Sequence, residues 1–229
     1  MQKKFLKNIV IGLGLIFSQV HAESSIGGVS LGATRIIYPI DSKQVSLPII
    51  NHGKKDRYLI NSWVEDEKGE KTKDFLVTPP LFVSEANTEN TLRVIKVTDS
   101  LPYDRESIYW MNVKAIPSID KEDLKSKNLL QFAVLSRIKI FVRPNNLPHI
   151  SELALEKLNF LNNNGIEVEN KSPYYVSFVN IYIDGKKISN TMAKPFGKTK
   201  LTHMNGKKID YQTVNDFGGL TPVTTLNLH

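Results

Sequence analysis

Apolar residues occur along most of this chain in short runs, rich in β-branched and aromatic side chains and separated by turn-forming residues. This pattern predicts strands, and together with two longer runs it gives about seven of them in the first two thirds of the chain, as an immunoglobulin-like sandwich requires. The short predicted strands are Val29–Tyr38, Gln44–Ile50, Arg57–Val64, Phe75–Val77 and Asn90–Val97, and the longer runs are Leu101–Pro117 and Leu130–Pro144.

A second group of strands follows a break in the pattern. The segment Arg143–His149 contains two prolines and two asparagines, which cannot extend a strand ladder, and it predicts a hinge between two domains. Ser151–Leu161 fits either a short helical segment or the start of a strand. Strand patterns resume at Gly165–Glu169 and Tyr174–Ile183, with a turn at Asp184-Gly185. The chain is therefore predicted to be all-β, with a second domain smaller than the first.

The first residues have the pattern of a secretory signal peptide. Three lysines among the first seven residues precede the apolar segment Ile9–Val20, and Val20-His21-Ala22 suits the cleavage positions. The apolar segment is shorter than the roughly 20 residues that a membrane-spanning helix needs. We expect residues 1–22 to be removed and the mature chain to begin at Glu23.

Charge and cysteine content exclude some functions. The net charge is +7, but the predicted leader carries three of the lysines and no acidic residue, so the mature chain is nearer +4. Its basic residues are scattered and not interleaved with stacking aromatic residues, which argues against nucleic-acid binding. An exported chain without cysteine has no disulfide framework, and the core must hold the fold unaided.

No motif indicates catalysis, a metal or a cofactor. Four histidines lie outside the leader: His52, His149, His203 and His229. None has the spacing of a metal site or lies beside a nucleophile motif, and a glycine-rich phosphate loop is absent from the sequence. The acidic pairs Glu65-Asp66 and Glu122-Asp123 lie in polar stretches typical of solvated loops.

The run from Asn128 to Pro144 is apolar on both alternating faces. One face carries Leu129, Ala133 and Leu135, and the other carries Leu130, Phe132, Val134, Ile138 and Ile140. A strand of an antiparallel sandwich normally turns one face to water. Two explanations remain open: a central strand covered on both faces, or a strand that offers its second apolar set to a partner by β-strand addition. Such an edge would otherwise favour aggregation.

The sequence resembles the periplasmic pilus (fimbrial) chaperones, and most closely their type 1 pilus branch. The strongest motif is Leu101–Pro117, with Asp104-Arg-Glu-Ser107, Asn112 and Ile116-Pro117. Further matching pieces are Leu31–Tyr38, Thr78–Phe82, Ile138–Pro144, Ser172–Tyr175 and Asn215–Gly219. The resemblance covers nearly the whole mature chain.

This resemblance implies two immunoglobulin-like domains in a boomerang arrangement, at residues 23–143 and 144–229. It also implies a periplasmic chaperone that folds and caps pilus subunits in one-to-one complexes and delivers them to an outer-membrane usher by donor-strand complementation. Small-molecule substrates, nucleic acids and cofactors are not expected.

The resemblance further assigns individual residues. Arg35 and Lys139 would anchor the C-terminal carboxylate of the subunit, and Leu130, Phe132 and Val134 would fill the groove of its incomplete sandwich. Glu106, Arg143 and Asp216 would form a charge cluster between the domains. Usher docking would involve Pro79, Pro80 and Leu81, although the two prolines could equally form a rigid start of a strand.

The alternative is a pilus subunit or a sandwich adhesin. Subunits usually have one incomplete domain with a disulfide and a short N-terminal donor extension. This chain lacks cysteine and has enough predicted strands for two complete domains, which counts against that alternative.

Overall fold

The computed structural model describes residues 28–119, 131–147 and 151–228. The predicted leader, Leu130 and His149 lie outside these described residues. Among the described residues the regular structure consists of strands and one 3₁₀ segment, so the prediction of an all-β chain built from two sandwiches is confirmed. No described helix has the length and apolar character needed to cross a membrane.

The N-terminal sandwich contains nine described strands in two sheets, ordered β1-β3-β7-β5 and β2-β9-β8-β4-β6. The strands are β1 (Val29–Leu31), β2 (Arg35–Pro39), β3 (Gln44–Asn51), β4 (Tyr58–Glu65), β5 (Phe75–Thr78), β6 (Leu81–Ser84), β7 (Glu89–Lys96), β8 (Ser107–Pro117) and β9 (Val134–Arg143). Alternate residues of both sheets face each other and form the core, because successive strand side chains point to opposite faces. Tyr38, Leu47, Leu92, Met111 and Ile140 are fully buried there.

The stretch Val29–Tyr38, predicted as one strand, is divided between the two sheets. β1 pairs antiparallel with β3 in one sheet, whereas β2 pairs parallel with β9 in the other. The crossing passes over Pro48, and a Cβ placed on Gly32 would lie 2.9 Å from the Cβ of that proline. Glycine therefore permits the close approach, and the prediction of a continuous strand is wrong at this point. The short strand β6 was not predicted either.

The C-terminal sandwich contains eight described strands: β10 (Leu158–Asn162), β11 (Ile166–Asn170), β12 (Val176–Ile183), β13 (Lys186–Lys187), β14 (Thr191–Ala193), β15 (Gly197–Thr202), β16 (Lys208–Thr213) and β17 (Thr224–Asn227). One sheet has the order β10-β11-β15, and the other has the order β13-β12-β16-β17 with β14 also paired to β12. Ile166, Phe178, Ile181 and Ile209 lie at the centre of the core.

Two local predictions in this domain have clear outcomes. Ser151–Lys157 forms the 3₁₀ segment and β10 follows it directly, so each interpretation of the stretch from Ser151 to Leu161 applies to one part. The predicted turn at Asp184-Gly185 joins β12 to β13. Both turn residues have positive φ, +47° and +80°, as the tight turns of two-residue hairpins require.

Candidate functional site

Strand β9 has neighbours on both edges along only part of its length. β8 pairs with it from Val134 to Val142. β2 pairs with it only from Lys139 to Arg143. No other described strand pairs with the segment Val134–Ile138, so one backbone edge of this segment is open to a further strand.

The apolar side chains beside this open edge are exposed. Ile140 and Val142 are buried in the core, and Val134, which has the same parity, is 60 % exposed. Phe132, just before the strand, is 72 % exposed, and Leu135 on the opposite face is also exposed. The apolar core face of β9 therefore continues beyond the sandwich. The two explanations for this run each apply to one half: the second half is covered on both faces, and the first half is available to a partner.

Arg35 and Lys139 lie side by side where the open edge ends. They are directly paired residues of the parallel β2–β9 ladder. Arg35 Nη1 donates a hydrogen bond to the carbonyl oxygen of Val214 (3.1 Å), and Lys139 Nζ donates to Ser177 Oγ (3.1 Å). Both acceptors belong to the C-terminal domain. The two predicted anchor residues are thus neighbours at the junction of the domains.

Both cations are partly desolvated. Burial and, to a smaller extent, the positive charge of Arg35 together lower the pKa of Lys139 to about 8. Burial also lowers the pKa of Arg35, while Asp216 and Glu106 oppose that shift. Arg35 Nε is buried without a hydrogen-bond partner among the described residues. The pair therefore has unused donor capacity, which suits an incoming carboxylate.

Arg143 connects the two domains through two carboxylates. Its Nε donates to Glu106 Oε1 (2.7 Å), and its Nη1 and Nη2 donate to the two carboxylate oxygens of Asp216 (2.6 and 2.9 Å). The buried Glu106 also accepts a hydrogen bond from the backbone N–H of Tyr175 (2.8 Å). Glu106 and Arg143 belong to the first sandwich, whereas Tyr175 and Asp216 belong to the second. The structure brings the three predicted cluster residues together.

The ionisation of this cluster reflects its burial. Burial raises the pKa of Glu106, and the Arg143 guanidinium and the Tyr175 amide oppose that shift. Burial lowers the pKa of Arg143, but the hydrogen bonds to Asp216 and the charge of Glu106 outweigh it, and the pKa is raised overall. The guanidinium is held as a cation between two acceptors.

Two further contacts between the domains could not be predicted from the sequence. Lys194 Nζ lies 2.6 Å from Glu67 Oε1, and the guanidinium carbon of Arg105 lies 5.2 Å from the ring centroid of Phe196. These partners are far apart along the chain, and no local pattern relates them. Arg105 at least belongs to the motif Asp104-Arg-Glu-Ser107, whereas Glu67 belongs to no motif identified in the sequence.

The predicted usher-contact residues lie at the outer edge of the β2-β9-β8-β4-β6 sheet. Pro79 and Pro80 are exposed, and Leu81, which begins β6, is 55 % exposed. The carbonyl oxygen of Pro80 accepts a hydrogen bond from Ser62 N (2.8 Å), so the two prolines also lead directly into the strand. The sequence did not predict the exposure of the directly paired Leu59 and Val83. Together with Leu81 they form an exposed apolar patch, which we call the β6 patch.

Metal chemistry has no support in the described parts of the chain. Within residues 28–119, 131–147 and 151–228, no group of three or more His, Cys, Asp or Glu side chains is arranged to hold a metal ion.

The site has the features of a protein that binds an extended segment of another protein: an open strand edge, exposed apolar side chains and two cations at its end. Residues 28–148 match the family model of the pili and flagellar-assembly chaperone PapD N-terminal domain, and residues 153–225 match that of the pili assembly chaperone PapD C-terminal domain. The chain belongs to the pilus assembly chaperone family. Members of this family are folding and assembly factors and not enzymes.

Relatives and solved structures agree with this assignment. The chain is 46 % identical to the probable fimbrial chaperone SfmC of Escherichia coli (strain K12), with 100 % of both chains covered. It is 42 % identical to the chaperone protein FimC of the same strain, with 95 % of this chain and 91 % of the relative covered.

Two solved structures are similar over most of the chain. The periplasmic chaperone SfaE has a TM-score of 0.76 and 42 % identity, with 88 % of this chain and 99 % of that chain covered. The Salmonella enterica SafA pilin in complex with the SafB chaperone gives a TM-score of 0.79 and 28 % identity, with coverages of 89 % and 97 %. The resemblance stated from the sequence motifs is confirmed.

The charge cluster predicts a large loss of stability when Arg143 is removed. Arg143→Ala leaves the buried Glu106 carboxylate without its counter-ion, and we expect the free energy of unfolding to fall by about 3–5 kcal/mol. Denaturant unfolding at pH 7 measures this. The matched control is Lys171→Ala, which removes an exposed ion pair with Glu169 (3.5 Å) and should leave the unfolding midpoint unchanged. Equal midpoints for the two variants would contradict the structural role of Arg143.

Proposed function

We propose that this protein is a periplasmic chaperone that folds and caps pilus subunits, one subunit per chaperone, and delivers them to an outer-membrane usher. One observation carries this proposal: the open, apolar half of β9 ends at the cation pair Arg35 and Lys139. The family assignment supports it, as does the likeness to a structure of a chaperone in complex with a pilin.

Capture would use β9 as a donor strand. A subunit whose sandwich lacks a strand can pair its backbone with the open edge of Val134–Ile138. Phe132 and Val134, with Leu130 preceding them, would fill the apolar groove that the missing strand leaves. Burial of these exposed side chains and new backbone hydrogen bonds would stabilise the complex together.

The cation pair would set the register of the subunit strand. A slip of one residue preserves most backbone hydrogen bonds but turns every side chain to the opposite face. A fixed end point prevents such a slip. The C-terminal carboxylate of the subunit, bound by Arg35 and Lys139 through charge-assisted hydrogen bonds, would supply it.

The cluster of Glu106, Arg143 and Asp216 would fix the angle between the domains and thus the shape of the cleft. Arg143 is held to Asp216 by two parallel hydrogen bonds and to Glu106 by a third, and this planar geometry permits little rotation. A hydrogen-bonded ion cluster can specify geometry even where its net contribution to stability is small.

Usher docking would use the surface around Pro79, Pro80 and Leu81. The neighbouring side chains of the β6 patch are apolar and exposed, which suits a protein contact. This surface lies on the opposite edge of its sheet from β2. A subunit bound along β9 would therefore leave it accessible.

The periplasmic location follows from the family and from the leader pattern. We assign residues 1–22 to a signal peptide, residues 23–143 to the first domain and residues 144–229 to the second, since Leu147 already packs in the second core. We expect N-terminal sequencing of protein released from the periplasm to begin at Glu23. Recovery of the protein with its leader intact would contradict the assignment.

The donor-strand role predicts that an aspartate on the core face of β9 abolishes subunit capture. An unpaired carboxylate in an apolar groove costs several kcal/mol, so Val134→Asp, like Phe132→Asp, should lose capture in a co-purification assay. The free protein should stay folded because both positions are exposed. Leu135→Asp is the matched control, since it places the same charge on the opposite face. Capture by Val134→Asp at the level of the control would exclude the donor-strand role.

The anchor role predicts that Arg35→Ala or Lys139→Ala removes most subunit capture without destabilising the free protein. Each cation contributes charge-assisted hydrogen bonds worth about 1.5–3 kcal/mol to the bound carboxylate. Calorimetry with the C-terminal peptide of the co-purified subunit tests this, using free-acid and amidated forms. We expect the amidated peptide to bind at least tenfold more weakly to the wild type and the difference between the two forms to shrink in Lys139→Ala. Equal affinities in the wild type would remove the anchor role.

A further inference from the structure

Four residues form a row across the cleft-facing side of the first domain. Glu65 on β4 is paired directly with Trp110 on β8, Trp110 with Lys139 on β9, and Lys139 with Arg35 on β2. Directly paired residues of neighbouring strands project from the same face of a sheet. A carboxylate and the Lys139 ammonium therefore project from one face, two strands apart, with an indole ring between them.

The carboxylate at one end of this row is fully engaged by other groups. Glu65 Oε2 lies 3.0 Å from Arg137 Nη2, and Glu65 Oε1 accepts a hydrogen bond from Trp63 Nε1 (2.8 Å). The Arg137 guanidinium also stacks on Trp110, with 4.2 Å between its central carbon and the ring centroid. These contacts bind Glu65 to Trp63 and Arg137 and place the Arg137 guanidinium over the Trp110 ring.

Lys139 also lies near the Trp110 ring. Its Nζ is 5.9 Å from the Trp110 centroid and donates to Ser177 Oγ from the second domain. Among the described residues no carboxylate lies within 4.0 Å of this ammonium, and its nearest charged neighbour in the row is the Arg35 cation. An isolated, partly buried ammonium beside a second cation is costly unless an anion arrives.

Glu65 is close enough to supply that anion if the ring were absent. Neighbouring strands lie about 4.8 Å apart, so the Cα atoms of Glu65 and Lys139 are separated by roughly 10 Å. A lysine and a glutamate side chain can together bridge such a gap over a small residue. The pair that would form occupies the same ammonium that a subunit carboxylate needs.

We propose that Trp110 is a positioning residue of the subunit-binding site, whose indole ring separates Lys139 from Glu65 and keeps the ammonium available to the terminal carboxylate of a pilus subunit. This inference rests on the proposed anchor function of Lys139. The low pKa of Lys139, about 8, agrees with it, because an ion pair with Glu65 would raise that pKa. The groups beside Lys139 are Arg35 from β2, Trp110 from β8 and Ser177 from β12. Arg137, two residues earlier on the same face of β9, is paired with Glu65.

The test replaces the indole ring of Trp110 with a shorter side chain that is compatible with strand β8. Trp110→Thr substitutes a β-branched residue that favours strands and is too short to screen Lys139. We expect the pKa of Lys139, measured by NMR of the lysine side chains in the free protein, to rise from about 8 towards its ordinary value near 10.5. At pH 7 the affinity for the free-acid subunit peptide should fall at least tenfold. Binding of the amidated peptide should not change.

The double variant distinguishes this mechanism from a general disturbance of the fold. Glu65→Gln alone should keep the wild-type pKa and affinity, because Glu65 does not contact Lys139 in the wild type. Trp110→Thr combined with Glu65→Gln should restore the pKa to about 8 and the affinity to within twofold, since the competing anion is gone. If Trp110→Thr acted only by disturbing the sheet, adding Glu65→Gln would not restore the pKa of Lys139 or the affinity for the peptide. Where Trp110→Thr does not fold, Trp110→Val, which is also short and β-branched, takes its place in the same cycle.

Two results would overturn the inference: a Lys139 pKa and affinity unchanged in the single variant, or no recovery in the double variant. A separate measurement tests the anchor function of Lys139. Wild-type protein that binds free-acid and amidated peptides equally would remove the anchor function, while the NMR measurement on the free protein would still decide whether Trp110 separates the two charges.

Discussion

The partial pairing of β9 is the constraint on which the other features depend. Residues 139–142 lie between β2 and β8, and the first five residues of the strand have only β8 beside them. The cause lies in the first strand region, where the backbone leaves one sheet at Gly32 and enters the other only at Arg35. An unpaired apolar strand edge invites aggregation in an ordinary protein. Here the same edge ends at two cations, which in the proposed function would give an incoming strand a defined end.

Two cations of β9 with the same parity have opposite electrostatic surroundings. Arg143 is bound by the carboxylates of Glu106 and Asp216, and its positive charge is fully compensated. Lys139, four residues earlier, has Arg35, Trp110 and Ser177 around it and no carboxylate within ion-pair distance among the described residues. The compensated cation joins the two domains in the free protein. Lys139, whose charge is not compensated, is suited to an anion from outside. The presence or absence of a carboxylate partner therefore distinguishes the structural residue Arg143 from the proposed binding residue Lys139.

Only those features of the site that depend on local sequence patterns could be predicted from the sequence. Apolar residues on both parities of the run from Asn128 to Pro144 indicated an unusual strand, but which half is covered depends on how far β2 extends, and no local pattern shows that. The stretch Val29–Tyr38 looked continuous because both of its parts have the composition of strands. Arg35, Lys139 and the three cluster residues were assigned by resemblance to a family. The row from Glu65 to Arg35 could not be predicted, since it exists only once the registers of four strands are known.

The binding site also imposes a cost on the free protein that follows from the sign of the pKa shift. The pKa of Lys139 is lowered from about 10.5 to about 8, so folding disfavours its charged form. The destabilisation is fully present below pH 8 and disappears as the pH rises towards the unfolded-state pKa, so at neutral pH the free chaperone carries it in full. A bound carboxylate would offset this cost by supplying a counter-charge, and a ligand that binds only the folded state stabilises that state. Capture of a subunit would therefore stabilise the chaperone as well as the subunit.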